Sequence, residues 1–122
     1  MEKTKNKPEE CESAKCILSV MDALDVLNGR WKLPILVSLK FGKKRFKQIS
    51  KEINGLTDKM LSKELKELEV NQLVTRTVYD TFPPAVEYAI TEHGLSLDNV
   101  IVSLRDWGSA HRKKIMKSSV TA

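Results

Sequence analysis

Lys59, Ser62, Lys63 and Lys66 follow one another at helical spacing, and the positions among and beyond them carry Met60, Leu61, Leu65 and Leu68. At about 100° of rotation per residue the two sets fall on opposite faces of one helix, so one face packs and the other is polar and basic. Ammonium groups in such a row neutralise phosphates or reach guanine acceptors, and a serine is short enough to let the backbone approach base edges. Charge is concentrated around the same helix. Between Lys40 and Lys66 stand nine basic residues against three acidic, an excess of six in a chain whose net charge is +5. The partner expected from this chemistry is a polyanion, double-stranded DNA.

Lys43, Lys44, Arg45, Lys47 and Gln48 sit at the start of a shorter helix and are expected at the sugar-phosphate backbone. Thr57 and Asp58 at the start of the basic helix, and Arg76, Tyr79 and Thr81 in the β-rich stretch after it, complete the candidate DNA-contact set. A lysine-rich face by itself is usually a solvated surface. Here a tight turn precedes it and a hairpin follows it, and together these favour DNA over the other reading, a module that binds protein instead.

No glycine-rich phosphate loop and no paired nucleophile and base are found, so an enzyme is not expected, nor any cofactor. His93 and His111 have no carboxylate or cysteine at ligand spacing, and no metal is assigned. Cys11 and Cys16 are too few and too close for a disulfide scaffold and are expected as thiols. Cys16 follows Lys15 at the entry to a helix, surroundings that favour a reactive thiolate, which makes it a redox-sensing candidate; the plainer alternative is a small packed side chain. Trp31 and Trp107 are read as core or dimer interface rather than ligand platforms.

These residues need elements to hold them. A chain of 122 residues, 41% hydrophobic, suits one domain. No apolar run approaches the roughly 18 residues of a membrane span and no signal core follows the basic N-terminus, so a cytoplasmic protein without a membrane partner is expected. Residues 1–15 read as a polar arm, 16–116 as the folded domain and 117–122 as a flexible tail. Ile17, Val20, Met21, Leu24 and Leu27 mark a first helix that stops at Asn28-Gly29. Arg30 to Lys40 forms a second, with Pro34 tolerable only in its first turn. Phe46, Ile49 and Ile53 give the short third helix, and Thr57 caps the basic fourth. Leu73 to Tyr79 and the alternating Val86 to Ile90 are strands joined by a rigid turn at Pro83-Pro84, and Thr91 caps one long last helix through Trp107. The fold class is mainly α with a small β-hairpin wing (α+β), the plan of a winged helix-turn-helix.

The blocks ALDVLNGRWKLPIL (Ala23 to Leu36), KMLSKELKELEVNQLVTRTVY (Lys59 to Tyr79), PPAVEYAITEHG (Pro83 to Gly94) and DWG (Asp106 to Gly108) occur in an order that resembles the HxlR-type regulators of bacteria, within the MarR-like winged-helix group. The resemblance implies a homodimeric DNA-binding transcription regulator in which Lys59, Ser62, Lys63 and Lys66 lie on the recognition helix and Arg76 to Glu87 form the wing. It also implies a small-molecule or electrophile effector, since some relatives sense oxidants through a cysteine near the place of Cys16. Three positions depart from the pattern: Ile17 follows Cys16 where the family has proline, Ala85 stands where the wing commonly carries arginine, and Asn28 stands where the family often has glycine, a substitution that still tolerates a left-handed helix cap.

Overall fold

The computed structural model describes residues 12–121, with side chains through residue 117. In chain order its elements are α1 (Ser13–Val26), α2 (Lys32–Lys40), β1 (Lys44–Arg45), α3 (Phe46–Glu52), α4 (Asp58–Val70), β2 (Val74–Tyr79), β3 (Ala85–Ile90), α5 (Glu92–Leu95) and α6 (Asp98–Thr121). The architecture is mainly helical with one small antiparallel sheet, a winged helix-turn-helix. A boundary at Arg30 separates the unit containing α1 from the unit that begins at Trp31.

In the first unit α1 starts at Ser13, and residues 1–11 of the expected polar arm lie outside the described ones. The helix stops where Asn28-Gly29 requires: Leu27 is its C-cap, and the Asn28 side chain donates to the Asp25 carbonyl at 2.7 Å.

In the second unit α2 begins two residues later than Arg30, with Trp31 as N-cap, which puts Pro34 in the first turn where its missing N–H costs no hydrogen bond. The core is built on this helix: Ile35, Leu36 and Leu39 meet Ile49 of α3, Leu61, Leu65 and Leu68 of α4, and Leu73 and Val74, all fully buried. Each such side chain contributes about 1.5–3 kcal/mol by leaving water.

The sheet departs from the expected two-stranded hairpin. Lys44 and Arg45 form a strand of their own just before α3, for which Arg45 is also the N-cap, with Lys44 opposite Tyr88 and Arg45 opposite Glu87, giving the strand order β1-β3-β2. A two-residue strand has no periodicity to read, and its partner lies far away in sequence. Because β3 is the middle strand it is half-buried at every position, without the alternation expected of it.

The last helix is also divided. Thr91 Oγ1 accepts from the Gly94 N–H at 2.9 Å and so caps only the short α5; the chain turns through Ser96-Leu97 before α6 begins. α6 runs as far as Thr121, since extending an existing helix needs no new nucleus.

Gly94 is where α5 meets the sheet. A Cβ there would lie 2.5 Å from the Leu73 carbonyl oxygen and 2.6 Å from Ile90 Cγ1. That carbonyl is fixed by the hydrogen bond it accepts from the Thr91 N–H at 3.0 Å. Gly94→Ala should therefore destabilise the protein by about 1–3 kcal/mol, as overpacking does, read as a lower urea midpoint. Gly108→Ala, where a Cβ meets nothing within 4 Å, should not.

Candidate nucleic-acid interface

Thr57 has extended backbone, and its Oγ1 accepts from the Met60 N–H at 3.1 Å, capping α4 as its sequence position suggests. The turn before it runs through Gly55, whose φ of 88° suits glycine, and buries Leu56. The Trp31 ring lies against this turn, with Cη2 at 3.5 Å from where a Cβ of residue 55 would stand. Beyond the cap α4 buries Leu61, Glu64, Leu65 and Leu68 and exposes Lys59, Ser62, Lys63 and Lys66 along one side. Met60, expected on the packed face, is half-buried.

Polar links fix how α4 sits. Lys47 Nζ and the Ser50 hydroxyl donate to the two oxygens of Asp58 at 2.7 and 2.9 Å, joining α3 to the first turn of α4. These hydrogen bonds, Lys47 first, hold the Asp58 carboxyl below the usual carboxylate range. Behind α4, Lys32 is 1% exposed, and its ammonium donates to Glu64 at 2.5 Å and Glu67 at 2.6 Å. Burial works against the Lys32 charge, yet the two carboxylates more than offset it and its pKa is raised; the Lys32 hydrogen bond in turn lowers that of Glu67.

Lys44 belongs to a third link rather than to an outward face. Its ammonium meets Glu52 at 2.5 Å and the Ser38 hydroxyl at 3.0 Å, and Ser38 also donates to Glu52 at 2.6 Å, tying α2, β1 and α3 together. The Glu52 carboxyl is held low chiefly by the Lys44 hydrogen bond, then by Ser38. Gln48 also has an internal task, since its Oε1 accepts from the Arg45 N–H at 2.8 Å at the start of α3.

The remaining cations stay outward. Lys43 is largely exposed and only 3.7 Å from Glu87, Lys63 has a loose 3.8 Å contact with Glu67, and Lys59, Lys66, Arg45 and Arg76 have no ion pair among the described residues. Ser62, Lys66 and Glu69 of α4 line a groove of about 330 Å³ together with Arg76 and Tyr88 of the sheet. At the wing tip the Thr81 N–H donates to the Tyr79 carbonyl at 2.9 Å and its hydroxyl to the Pro83 carbonyl at 2.8 Å. Phe82 there is fully exposed and shares a concave surface with Lys43, Arg45 and Tyr79. Sequence reasoning passed over Phe82 and the Lys32 triad. An aromatic directly before two prolines at a hairpin apex is a readable signal for the first, and a lysine inside the apolar block Trp31–Leu36 for the second.

Cys16 lies in the first turn of α1 and is disulfide-bonded, which corrects the expectation of a free thiol; Cys11 lies outside the described residues. Among the described residues no group of three His, Cys, Asp or Glu could hold a metal, and no helix is long and apolar enough to cross a membrane. His111 stacks on Trp107 with ring centroids 4.8 Å apart, and Trp107 itself is exposed.

A capped helix with an exposed basic face, a tight turn before it and a hairpin beside it define a transcriptional regulator of the winged helix-turn-helix class. The chain belongs to the HxlR-like helix-turn-helix family, whose model matches residues 26–116. It is 38% identical over 104 residues to the HTH-type transcriptional regulator YtcD of Bacillus subtilis, covering 85% of this chain and 82% of the relative, and 41% identical over 98 residues to YdeP of the same organism, covering 80% and 77%. Among solved structures it is similar to the redox regulator HypR in its reduced form, with a TM-score of 0.76 at 35% identity, covering 81% of this chain and 98% of that one. The reduced form of the regulator YodB from B. subtilis matches with a TM-score of 0.66 at 38% identity, covering 73% and 87%. The family and these relatives are regulators, not enzymes.

Asp58, Glu52 and Glu67 all have folded-state pKa values below their ordinary 3.8, 4.5 and 4.5, so each stabilises the fold at pH above those values and loses that contribution as pH falls through the lower folded value. Lys32, raised above 10.5, stabilises below that pH and loses its contribution as pH climbs past the folded value. The melting temperature should hold across the neutral range and drop on acidification below about pH 4.5. Asp58→Asn should flatten part of that drop in a series of thermal melts.

Proposed function

We propose that this protein is a sequence-specific DNA-binding transcription regulator that acts as a homodimer on a palindromic operator and responds to oxidants or electrophiles through Cys16. The observation that carries the reading is the exposed row Lys59, Ser62, Lys63 and Lys66 on a helix whose opposite face buries Leu61, Leu65 and Leu68 in the core. The major groove is wide enough to admit such a helix, and the groove shared by Lys66 and Arg76 sets the wing beside it for the adjacent backbone. Lys43, Arg45, Lys47, Gln48, Thr57, Asp58, Tyr79 and Thr81 flank that face; Lys44, committed to Glu52, is left out of the proposed contacts.

The apolar surfaces support the dimer. No residue of α1 is buried, and Ile17, Leu18, Val20, Met21 and Leu24 are each more than half exposed; α6 separately exposes Leu104, Trp107, Ile115 and Met116. A second copy related by a two-fold axis would cover such surfaces and set two recognition helices on half-sites about one helical turn apart. For the response, Cys16 is already in a disulfide, and HypR, similar in structure, is named a redox regulator.

Selection of bound duplexes from a random pool should return a palindrome. Lys63→Ala and Lys66→Ala should each weaken binding and lower the slope of log affinity against log salt by about 0.9 per lysine. A double variant that melts normally and binds as wild type would rule out α4 as the contact helix.

Light scattering at micromolar concentration should give a mass twice that of the chain, and Trp107→Glu should shift it toward the monomer. Affinity for the selected operator should differ between protein treated with dithiothreitol and with diamide, which takes up the two electrons and two protons released as an S–S bond forms. Cys16→Ser should abolish that difference; if wild type shows none, the disulfide of Cys16 carries no signal to the DNA-contact face and this part of the reading fails.

A further inference from the structure

Glu67 stands between two ammonium groups. Its Oε1 is 2.6 Å from Lys32 Nζ, behind α4, and its Oε2 is 3.8 Å from Lys63 Nζ, on the exposed side one turn earlier. We infer that Lys32 is a positioning residue for DNA contact: by holding Glu67 it prevents that carboxylate from neutralising Lys63, and so leaves Lys63 to a phosphate. The inference rests on the reading of α4 as the DNA-contact helix.

The competition is unequal for physical reasons. Lys32 is 1% exposed and makes a direct hydrogen bond where water screens little, whereas the Lys63 side chain is 69% exposed and its contact exceeds hydrogen-bond distance. A lysine four residues before a glutamate is also the less favourable order for a helical pair. Glu67 therefore stays with Lys32. Remove that ammonium and Glu67 keeps one ion-pair partner, Lys63, within a small side-chain rotation. Glu64 does not compete for Lys63, because its side chain is 9% exposed and committed to Lys32 at 2.5 Å. A Lys63 paired with Glu67 would have to surrender that pair before meeting DNA, so one fewer phosphate would be neutralised per protomer.

The test reads the salt slope by fluorescence anisotropy with a labelled mixed-sequence DNA duplex and the full chain, alongside thermal melts. Because Lys32→Met alone strands Glu64 in the core, the comparison uses Lys32→Met/Glu64→Gln with and without Glu67→Gln. The double variant should have a slope shallower by about 0.9 per protomer, and adding Glu67→Gln should restore it. A purely structural role for Lys32 would weaken binding without that rescue, and a slope that stays at the wild-type value, or is not restored, overturns the inference. Glu67→Gln alone, a substitution at a partly exposed site, covers the case in which the buried variants unfold. With Lys32 intact it should leave the slope unchanged, and a slope steeper by about 0.9 per protomer would show that Glu67 already neutralises Lys63, which also overturns the inference. If Lys63→Ala keeps the wild-type slope, the reading of α4 fails and takes this inference with it, an outcome distinct from the others.

Discussion

The Lys32 ammonium, buried between Glu64 and Glu67, is the interaction on which the orientation of α4 depends. Hydrophobic burial supplies most of the energy that holds α4 to α2, but it is non-directional, and Leu61, Leu65 and Leu68 would tolerate some rotation of the helix about its axis. A buried charge would not. Its two acceptors lie one turn apart on α4, and rotating the helix would leave an ammonium without them in a medium where an unpaired ion is severely penalised. Removing one partner of such a pair costs about 3–5 kcal/mol in other proteins, a large share of a small domain's stability.

The same division of labour recurs at the other junctions of the motif. Ser38, Lys44 and Glu52 join α2 to α3 and the first strand, and Lys47, Ser50 and Asp58 join α3 to α4. Each link is polar, short and directional, and each lies at the edge of the apolar core rather than within it. Apolar surface fixes which elements meet, and these links fix the angle at which they meet. The large exposed apolar side chains of α1 and of α6 take no part in this; they remain available for another chain.

Periodicity made much of this legible in advance. The two faces of α4, the Thr57 cap, the placement of Pro34 and the two strands of the wing all follow from local spacing and local hydrogen bonds, which the sequence carries directly. What it did not carry was anything decided by a distant partner. The pairing of Lys44 and Arg45 with β3, and with it the half-burial of all of β3 as the middle strand, is settled by elements far away in the chain. The inward turn of Lys44 is not legible because composition reports a charge but not its direction, and Lys32 is hard to read because a lysine in an apolar block resembles the start of an amphipathic face. The number and closeness of the two cysteines point to thiols, but neither says what a sulfur is bonded to.

The order β1-β3-β2 has a consequence for how the protein assembles. The hairpin of β2 and β3 closes over a short loop and can form early, but the pairing of Lys44 with Tyr88 encloses α3, α4 and β2 within one long loop. Closing it costs more chain entropy, and the gain comes only once the enclosed helices have condensed on α2. The short outer strand should thus be among the last parts to form and the first to open, ahead of the core of α4. Arg45 is then held at the least protected edge of the sheet, where anything that bound the strand in its paired state would slow its opening.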